Sequence, residues 1–290
     1  MKVLVTTDGS PRSLRALPHA ARLARALRAE LILGRVLDPG LDCADVVTPV
    51  PQDAVRIVWD RWTEQLSVTA AEHADPSRGI VAIRARGEDV RDSILRLAAD
   101  ERADVLAMSS RGYGVARHAL LGSVALGVLG KCRVPVLVTG EHAASQDPAG
   151  QYRLVVTTDG STDSERAVDA AVDLADNADV RVTLLRVHVQ RLGDRGDAAE
   201  LAAAEEDLNG LRKRFRDSSA VETVVRAIVK LGGVDTAILE AAGEFKASAI
   251  AISTHGHSAR HHVFAGSVAM GVLGRAEVPV LLVRSGPARA

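Results

Sequence analysis

One stretch of this sequence contains four histidines close to two glycines, and its side chains could bind a metal or take part in catalysis. In STHGHSARHHVFAGSV, residues 253–268, four of the first ten positions are histidine: His255, His257, His261 and His262. Histidine is a frequent Zn²⁺ ligand, and zinc sites commonly pair histidines that stand four residues apart. No cysteine lies near them in the sequence. The stretch alone therefore leaves open a metal site, a catalytic cluster and a loop for some other ligand.

A second version of the stretch weighs against a metal. SSRGYGVARHALLGSV occupies residues 109–124, and there the four histidine positions hold Arg111, Tyr113, Arg117 and His118. Only His262 keeps a histidine counterpart, and an arginine side chain has no lone pair to offer a metal. The two versions share a polar, often cationic character around their glycines, which suits an anionic ligand better than a metal ion.

Glycine and serine recur at fixed spacing in both versions. One glycine follows an apolar run, nine residues intervene, and a Gly-Ser pair then opens a helical pattern. The shared residues are Gly112, Gly122, Ser123 and Val124 in the first version and Gly256, Gly266, Ser267 and Val268 in the second. Glycine lets backbone N–H groups approach a phosphate, and a helix start offers unpaired N–H donors. The pattern predicts a phosphate loop, with each serine capping its helix or bonding a phosphate oxygen.

A repeated TTDGS turn places an aspartate between an apolar run and a helical pattern. These aspartates are Asp8 and Asp159. At such a position an aspartate can cap the helix, or it can accept hydrogen bonds from a ligand at the end of the strand. Position alone favours capping and leaves the ligand role open.

A Ser–His–Asp hydrolase is an alternative, because Asp159, Ser267 and a histidine could meet at one edge of a sheet. The G-x-S-x-G elbow of such enzymes is missing, since AGSVA lacks its second glycine. We therefore rank this chemistry below phosphate binding.

The whole chain is a duplication. KVLVTTDGS at 2–10 returns as RLVVTTDGS at 153–161, and GSVALGVLG returns as GSVAMGVLG with one change in nine positions. The repeat of about 145 residues has the length of an ordinary domain. We predict one domain at 1–141, a linker at 142–151, where small and polar residues dominate, and a second domain at 152–290.

Each copy alternates strand-like and helix-like segments, beginning with a strand and ending with VPVLV or VPVLL. Such alternation implies right-handed crossovers and a mostly parallel sheet with helices on both faces. The predicted fold class is α/β, with two tandem doubly wound, Rossmann-like domains of five strands each. Folds of this kind bind ligands beyond the carboxyl ends of their strands.

The composition of the chain limits the classes of partner that it is expected to bind. The 290 residues carry a net charge of −1 and only 2% aromatic residues, which argues against binding nucleic acid or an anionic membrane. Two cysteines, no signal-like start and no long apolar run lead us to expect a cytoplasmic protein.

Taken together, the spacing resembles the G-x2-G-x9-G-[ST] signature of nucleotide-binding universal stress proteins, and the TTDGS turn and closing strands are similar to that family as well. The resemblance covers nearly the whole chain twice. It implies a tandem universal stress protein fold that binds ATP, with or without Mg²⁺. Ser109 and Ser253 depart from the signature, because they stand where it has its first glycine.

The resemblance also implies a role for single residues. By it, the first-strand aspartates Asp8 and Asp159 contact the nucleoside, and the backbone of Val36 and Val187 recognises adenine. The glycine-serine loops hold the phosphates, from Ser109 to Val124 in the first copy and from Ser253 to Val268 in the second.

The predicted function is nucleotide-dependent regulation of a stress response, with at most weak ATPase activity, no catalytic residue and no metal ligand. Two alternatives remain open: an assembly module whose loops bind nothing, and a slow ATPase or nucleotidyl-transferring enzyme. In the family the final strands pair between domains, so we expect a homodimer or an intrachain pseudo-dimer, with a protein partner that the sequence does not identify.

Overall fold

The computed structural model describes residues 1–43, 52–85, 87–111, 121–144, 150–175, 179–190, 197–229, 233–254 and 266–284. It divides the chain into two units, Met1–Thr139 and Gly140–Ala290. Within the described ranges, each unit contains five strands and an apolar core.

Unit 1 alternates strands and helices along the described chain. Its elements are β1 (Lys2–Thr7), α1 (Pro11–Leu14), α2 (Ala16–Leu27), β2 (Glu30–Leu37), α3 (Pro39–Asp42), α4 (Gln52–Ala71), β3 (Ser77–Ile83), α5 (Val90–Asp100), β4 (Val105–Ser109), α6 (Ser123–Lys131) and β5 (Val136–Thr139). The helical pattern after the first strand is thus two helices, which join at Arg15.

Unit 2 repeats this order. Its elements are β6 (Tyr152–Thr157), α7 (Thr162–Ala175), β7 (Val180–Gln190), α8 (Asp197–Arg212), a 3₁₀ turn (Ser218–Ala220), β8 (Val221–Val229), α9 (Val234–Glu244), β9 (Ala249–Ser253), α10 (Ser267–Arg275) and β10 (Val280–Val283).

Both sheets are parallel and have the same strand order. In unit 1 the order is β3-β2-β1-β4-β5, and in unit 2 it is β8-β7-β6-β9-β10. The predicted α/β fold class, with two doubly wound five-stranded domains in tandem, is confirmed. The chain leaves the first strand toward one edge of the sheet and the fourth strand toward the other. A crevice therefore opens between the carboxyl ends of β1 and β4, and of β6 and β9.

Helices cover both faces of each sheet. Helices α5 and α6 pack on each other, as do α9 and α10, while α2 and α4 pack against the strands from the other side. The cores are aliphatic, and central strand residues such as Leu4, Ile32, Leu106, Leu184 and Ile250 are fully buried. None of the helices in the described ranges is long and apolar enough to cross a membrane.

One titratable group is buried in the core of unit 1. The side chain of His19, on α2, is only 6% exposed. Burial, and to a smaller extent the positive charges of Arg15 and Arg22, together lower the pKa of His19 from 6.5 to about 4. The folded unit therefore holds this imidazole neutral near pH 7.

We expect this histidine to make unit 1 sensitive to acid. Because its pKa is lower in the folded state, the unfolded chain binds more protons at mildly acidic pH, and stability falls as the pH drops from 6.5 toward 4. Between pH 7 and pH 5 the free energy of unfolding should decrease by about 2 kcal/mol. Urea unfolding followed by fluorescence of Trp59 and Trp62, the chain's two tryptophans, measures this unit. His19→Gln should remove most of that pH dependence, and an unchanged dependence would contradict the assignment.

Candidate functional site

The TTDGS turns have nearly the same geometry in both units. Oδ1 of Asp8 accepts the backbone N–H of Ser10 at 2.9 Å. Oδ1 of Asp159 accepts the N–H of Ser161 at 3.0 Å and its hydroxyl at 2.6 Å. Each aspartate thus closes a tight turn at the carboxyl end of the first strand, and each side chain stays partly exposed there.

Neither aspartate caps the following helix, so the expectation that favoured capping is wrong. In unit 1 the N-cap is Ser10, whose hydroxyl oxygen accepts the N–H of Ser13 at 3.1 Å. In unit 2 the hydroxyl oxygen of Ser161 accepts the N–H of Ser164 at the same distance. Serine two residues after the aspartate supplies the cap, and this leaves the aspartate for the turn and for the crevice.

An arginine from the second strand packs against each turn. Gly9 has a φ of +85°, and an added Cβ would lie 2.6 Å from Nη1 of Arg35. The guanidinium of Arg35 also stacks 3.4 Å from the ring centroid of Trp62. In unit 2, Gly160 and Arg186 have the same relationship. The sequence interpretation missed these arginines, although their recurrence in GRVL and LRVH was a usable signal.

A backbone hydrogen bond joins the two ends of each predicted phosphate loop. The N–H of Gly122 donates to the carbonyl of Ser110 at 2.8 Å, and the N–H of Gly266 donates to the carbonyl of Thr254 at 2.5 Å. Gly112, Gly256 and the four clustered histidines of the second copy lie outside the described residues. The structure thus defines the base of each loop, directly beside the end of the fourth strand.

Each loop leads into a helix whose first residue is the predicted serine. The N-caps are Gly122 and Gly266, so Ser123 and Ser267 are the first helical residues and do not cap their helices. This corrects one of the two roles considered for the serines. Because a glycine N-cap has no side chain, it offers no side-chain acceptor to the N–H groups of the first helical turn.

Serine fits without strain where the signature has its first glycine. Ser109 ends β4 and Ser253 ends β9. Neither is among the residues with positive φ, so glycine is not needed there for backbone freedom. The hydroxyl of Ser109 donates to the carbonyl of Arg111 at 2.8 Å, which stabilises the start of the loop.

In unit 2 these parts line one cleft. It has a cavity volume of about 110 Å³ and is open to solvent at its mouth, and its lining includes Asp159, Val187, Ser253, Gly266, Ser267 and Val268. Every described site residue predicted for the second copy is therefore in this cleft.

The unit 2 cleft has an apolar side and a polar side. Apolar side chains come from β7, α9 and β9: Leu185, Val187, Val234, Ile238 and Ile252. Hydroxyl groups and the Asp159 carboxylate come from the first-strand turn and the base of the loop. The sequence interpretation did not include Val234 and Ile238, whose counterparts Val90 and Ile94 are identical in the first copy.

The first-copy residues occupy equivalent places in unit 1. Asp8 follows β1, Val36 lies near the end of β2, Ser109 ends β4, and Gly122, Ser123 and Val124 form the start of α6. The parallel register of β1 with β2 and β4 brings these positions to one edge of the sheet.

Comparisons with known proteins agree with this geometry. The model of the universal stress protein family matches residues 1–140 and again residues 152–284. A universal stress protein of Mycolicibacterium smegmatis is 27% identical over 97% of this chain and 96% of its own length. One from Mycobacterium tuberculosis is 30% identical over 47% of this chain and 93% of its own. The crystal structure of a universal stress protein from Archaeoglobus fulgidus superposes with a TM-score of 0.66 at 20% identity, covering 98% of this chain and 96% of that one.

The packing of Arg35 on the first turn leads to a prediction with a matched control. Gly9 and Gly87 both have positive φ, but an added Cβ meets a neighbour only at Gly9. Gly87→Ala should destabilise unit 1 by about 1 kcal/mol through backbone strain alone. Gly9→Ala should cost about 1 kcal/mol more, because it pushes the guanidinium off Trp62. Urea unfolding followed by tryptophan fluorescence measures the free energy of unfolding of both variants. Equal losses would show that the contact with Arg35 does not contribute to stability.

Proposed function

Because the chain belongs to the universal stress protein family, we propose that each of its units binds an adenine nucleotide, ATP in the first place, in the crevice between the first and fourth strands. The observation that carries this proposal is the unit 2 cleft. It joins an apolar wall, a carboxylate and a helix start without a side-chain cap in one enclosed space. An apolar wall suits a base, a carboxylate suits ribose hydroxyls, and a helix start suits phosphates.

The phosphates belong at the start of α10 in unit 2 and of α6 in unit 1. The N–H groups of the first helical turn point out of the helix there, and the helix dipole adds partial positive charge. The described lining of the unit 2 cleft contains no arginine or lysine, so these N–H groups are its main source of positive potential. The hydroxyl of Ser267, free of a capping role, is available to a phosphate oxygen.

The base and ribose belong at the other side of the cleft. Val187 and Leu185 of β7 face Val234 and Ile238 of α9 across this part of the lining. The exposed end of β7 offers backbone groups to the edge of a base, in keeping with the role that the family resemblance implies for Val187. Asp159, held by its bonds to Ser161, is oriented toward the sugar.

This arrangement favours recognition over catalysis. The residues at the start of α10 are glycine, serine, valine and alanine, which donate hydrogen bonds but offer no general base. We therefore expect hydrolysis of ATP to be slow. Mg²⁺ would fit as a companion of the phosphates with few protein ligands. Nucleotide occupancy would then signal to a protein partner in a cytoplasmic stress response.

Alanine at the helix-start glycines should test phosphate binding without unfolding the protein. Both glycines have negative φ, and an added Cβ would meet only backbone atoms, the nearest at 3.5 Å. The fold should therefore tolerate Gly122→Ala and Gly266→Ala, while the methyl group obstructs a phosphate. We expect each to weaken ATP binding to its own unit about tenfold in isothermal titration.

The matched control is Gly210→Ala, on α8, where an added Cβ meets nothing within 4 Å. Its ATP affinity should equal that of the unchanged protein. Undiminished binding in Gly122→Ala and Gly266→Ala together would place the phosphates elsewhere. Absence of any heat with the unchanged protein would favour the assembly module.

Asparagine at the two aspartates should separate the halves. An asparagine oxygen can still accept the N–H of Ser10 or Ser161, so the turn is kept while the charge is lost. Asp8→Asn should weaken one class of ATP site about tenfold and Asp159→Asn the other, leaving one tight site in each. The number of tight ATP sites per chain, measured by isothermal titration, tests this directly. If Asp8→Asn changes nothing while Asp159→Asn abolishes all binding, only unit 2 binds ATP.

A further inference from the structure

Unit 2 has a second cavity, at the opposite end of its sheet from the nucleotide crevice. It has room for about 210 Å³ and lies at the amino ends of β6, β7 and β8. Its lining residues are Arg153, Arg181, Val182, Thr183, Ser219, Ala220, Val221, Glu222 and Phe245. The strand register places Arg153 beside Arg181 and Thr183 beside Glu222, so these side chains share the face covered by α9.

In unit 1 the equivalent place is closed by ion pairs. The matching residues by register are Lys2, Glu30, Ile32 and Arg78, with Glu101 at the end of α5. Arg78 pairs with Glu30 at 2.8 Å and also with Glu101, and Lys2 approaches Glu101 at 3.8 Å. The charges there neutralise one another within the protein.

In unit 2 several of the equivalent residues carry the opposite charge or no charge. Arg181 stands where unit 1 has Glu30, Glu222 stands where it has Arg78, and Phe245 replaces Glu101. Within the described residues, neither Arg153 nor Arg181 forms an ion pair, although Nε of Arg181 donates to the side-chain oxygen of Gln151 at 3.2 Å. Two guanidinium groups thus line one cavity, together with the carboxylate of Glu222 and with the charge of Asp217 near Arg181.

A threonine hydroxyl in the same cavity forms no hydrogen bond to the described residues. Thr183 is 9% exposed and lines the cavity, and in the described part of the chain its side chain makes no hydrogen bond. Unit 1 has Ile32 at this position, fully buried in the core. The Thr183 oxygen is not among the fully enclosed side-chain atoms that lack a partner, so it is open to a hydrogen-bond partner from outside the protein. The cavity is where such a partner can reach it.

We propose that this cavity binds a small anionic metabolite through a phosphate or carboxylate group. The oxygen atoms of the anion accept hydrogen bonds from the Thr183 hydroxyl and from the guanidinium groups of Arg153 and Arg181. Half-buried Phe245 provides an apolar surface for the rest of the ligand. The site is separate from the nucleotide crevice, and in the described part of unit 1 the equivalent place holds ion pairs instead.

Two acidic residues limit which anions fit. Glu222 lines the cavity and reduces its net positive charge to one. Hydrogen bonds from Ser219 hold the pKa of Asp217 below its ordinary value, and this carboxylate also interacts with Arg181. A ligand with one compact anionic group therefore fits better than one with charge spread over its whole length.

The test uses the full chain, with inorganic phosphate and acetate as separate probes. Amide resonances of Thr183 and Ser219 should shift on titration of one or both probes in two-dimensional NMR, and the stronger probe identifies the preferred anionic group. Thr183→Ile installs the residue of unit 1, and Arg181→Gln removes one guanidinium. In each variant, the shift of the Ser219 amide should require about ten times the probe concentration that the unchanged protein requires.

Arg166→Gln is the matched control, since it removes the same charge from α7, which does not line the cavity. Its titration should match that of the unchanged protein. Shifts confined to the amides of Gly266 and Ser267 would assign the anion to the nucleotide crevice and overturn the proposal. So would equal weakening in Arg166→Gln and Arg181→Gln, which would show a general effect of charge. Far-ultraviolet circular dichroism confirms that each variant is folded.

Discussion

The parallel pairing of the first and fourth strands is the constraint on which the site depends. Val3 to Val5 pair with Val105 to Ala107 in unit 1, and Leu154 to Val156 pair with Ala249 to Ala251 in unit 2. This contact brings an aspartate turn and a glycine loop, about a hundred residues apart in sequence, to the same edge of the sheet. From the first strand the chain continues toward one edge of the sheet, and from the fourth strand it continues toward the other. No crossover helix therefore covers the crevice between them. Everything proposed about nucleotide binding requires this opening.

Around that shared frame the two units have diverged in compensating ways. Gly34 of β2 leaves space that Leu97 of α5 fills, whereas unit 2 has Leu185 on the strand and Ala241 on the helix. The total side-chain volume at the strand–helix contact is conserved, as close packing demands. At the amino ends of the strands the divergence is one of charge, because Arg181 and Glu222 reverse the charges of Glu30 and Arg78, and Phe245 replaces Glu101. Packing is under the same constraint in both units, while surface charge has been free to change.

The sequence predicted the fold closely because strand and helix patterns alternate without ambiguity and appear twice. It also selected residues that the structure brings into one cleft in unit 2, since position at strand ends follows directly from the strand order. It misjudged the capping residues, because Asp8 and Ser10 are both good caps and only backbone geometry distinguishes them. It gave Gly127 no separate role, although an added Cβ there would lie 2.2 Å from Arg91 of the neighbouring helix. That glycine serves helix packing.

Sequence alone thus determined the duplication, the order of elements, the parallel sheets and the edge at which a ligand can bind. These follow from periodicity, from repetition and from the handedness of crossovers, all of which are local or topological properties. The tertiary structure decided which side chains meet: that Arg35 supports the first turn, that α9 supplies the apolar wall of the crevice, and that Thr183 shares a cavity with two arginines. Such contacts depend on distances between segments remote in sequence, and no pattern along the chain encodes those distances.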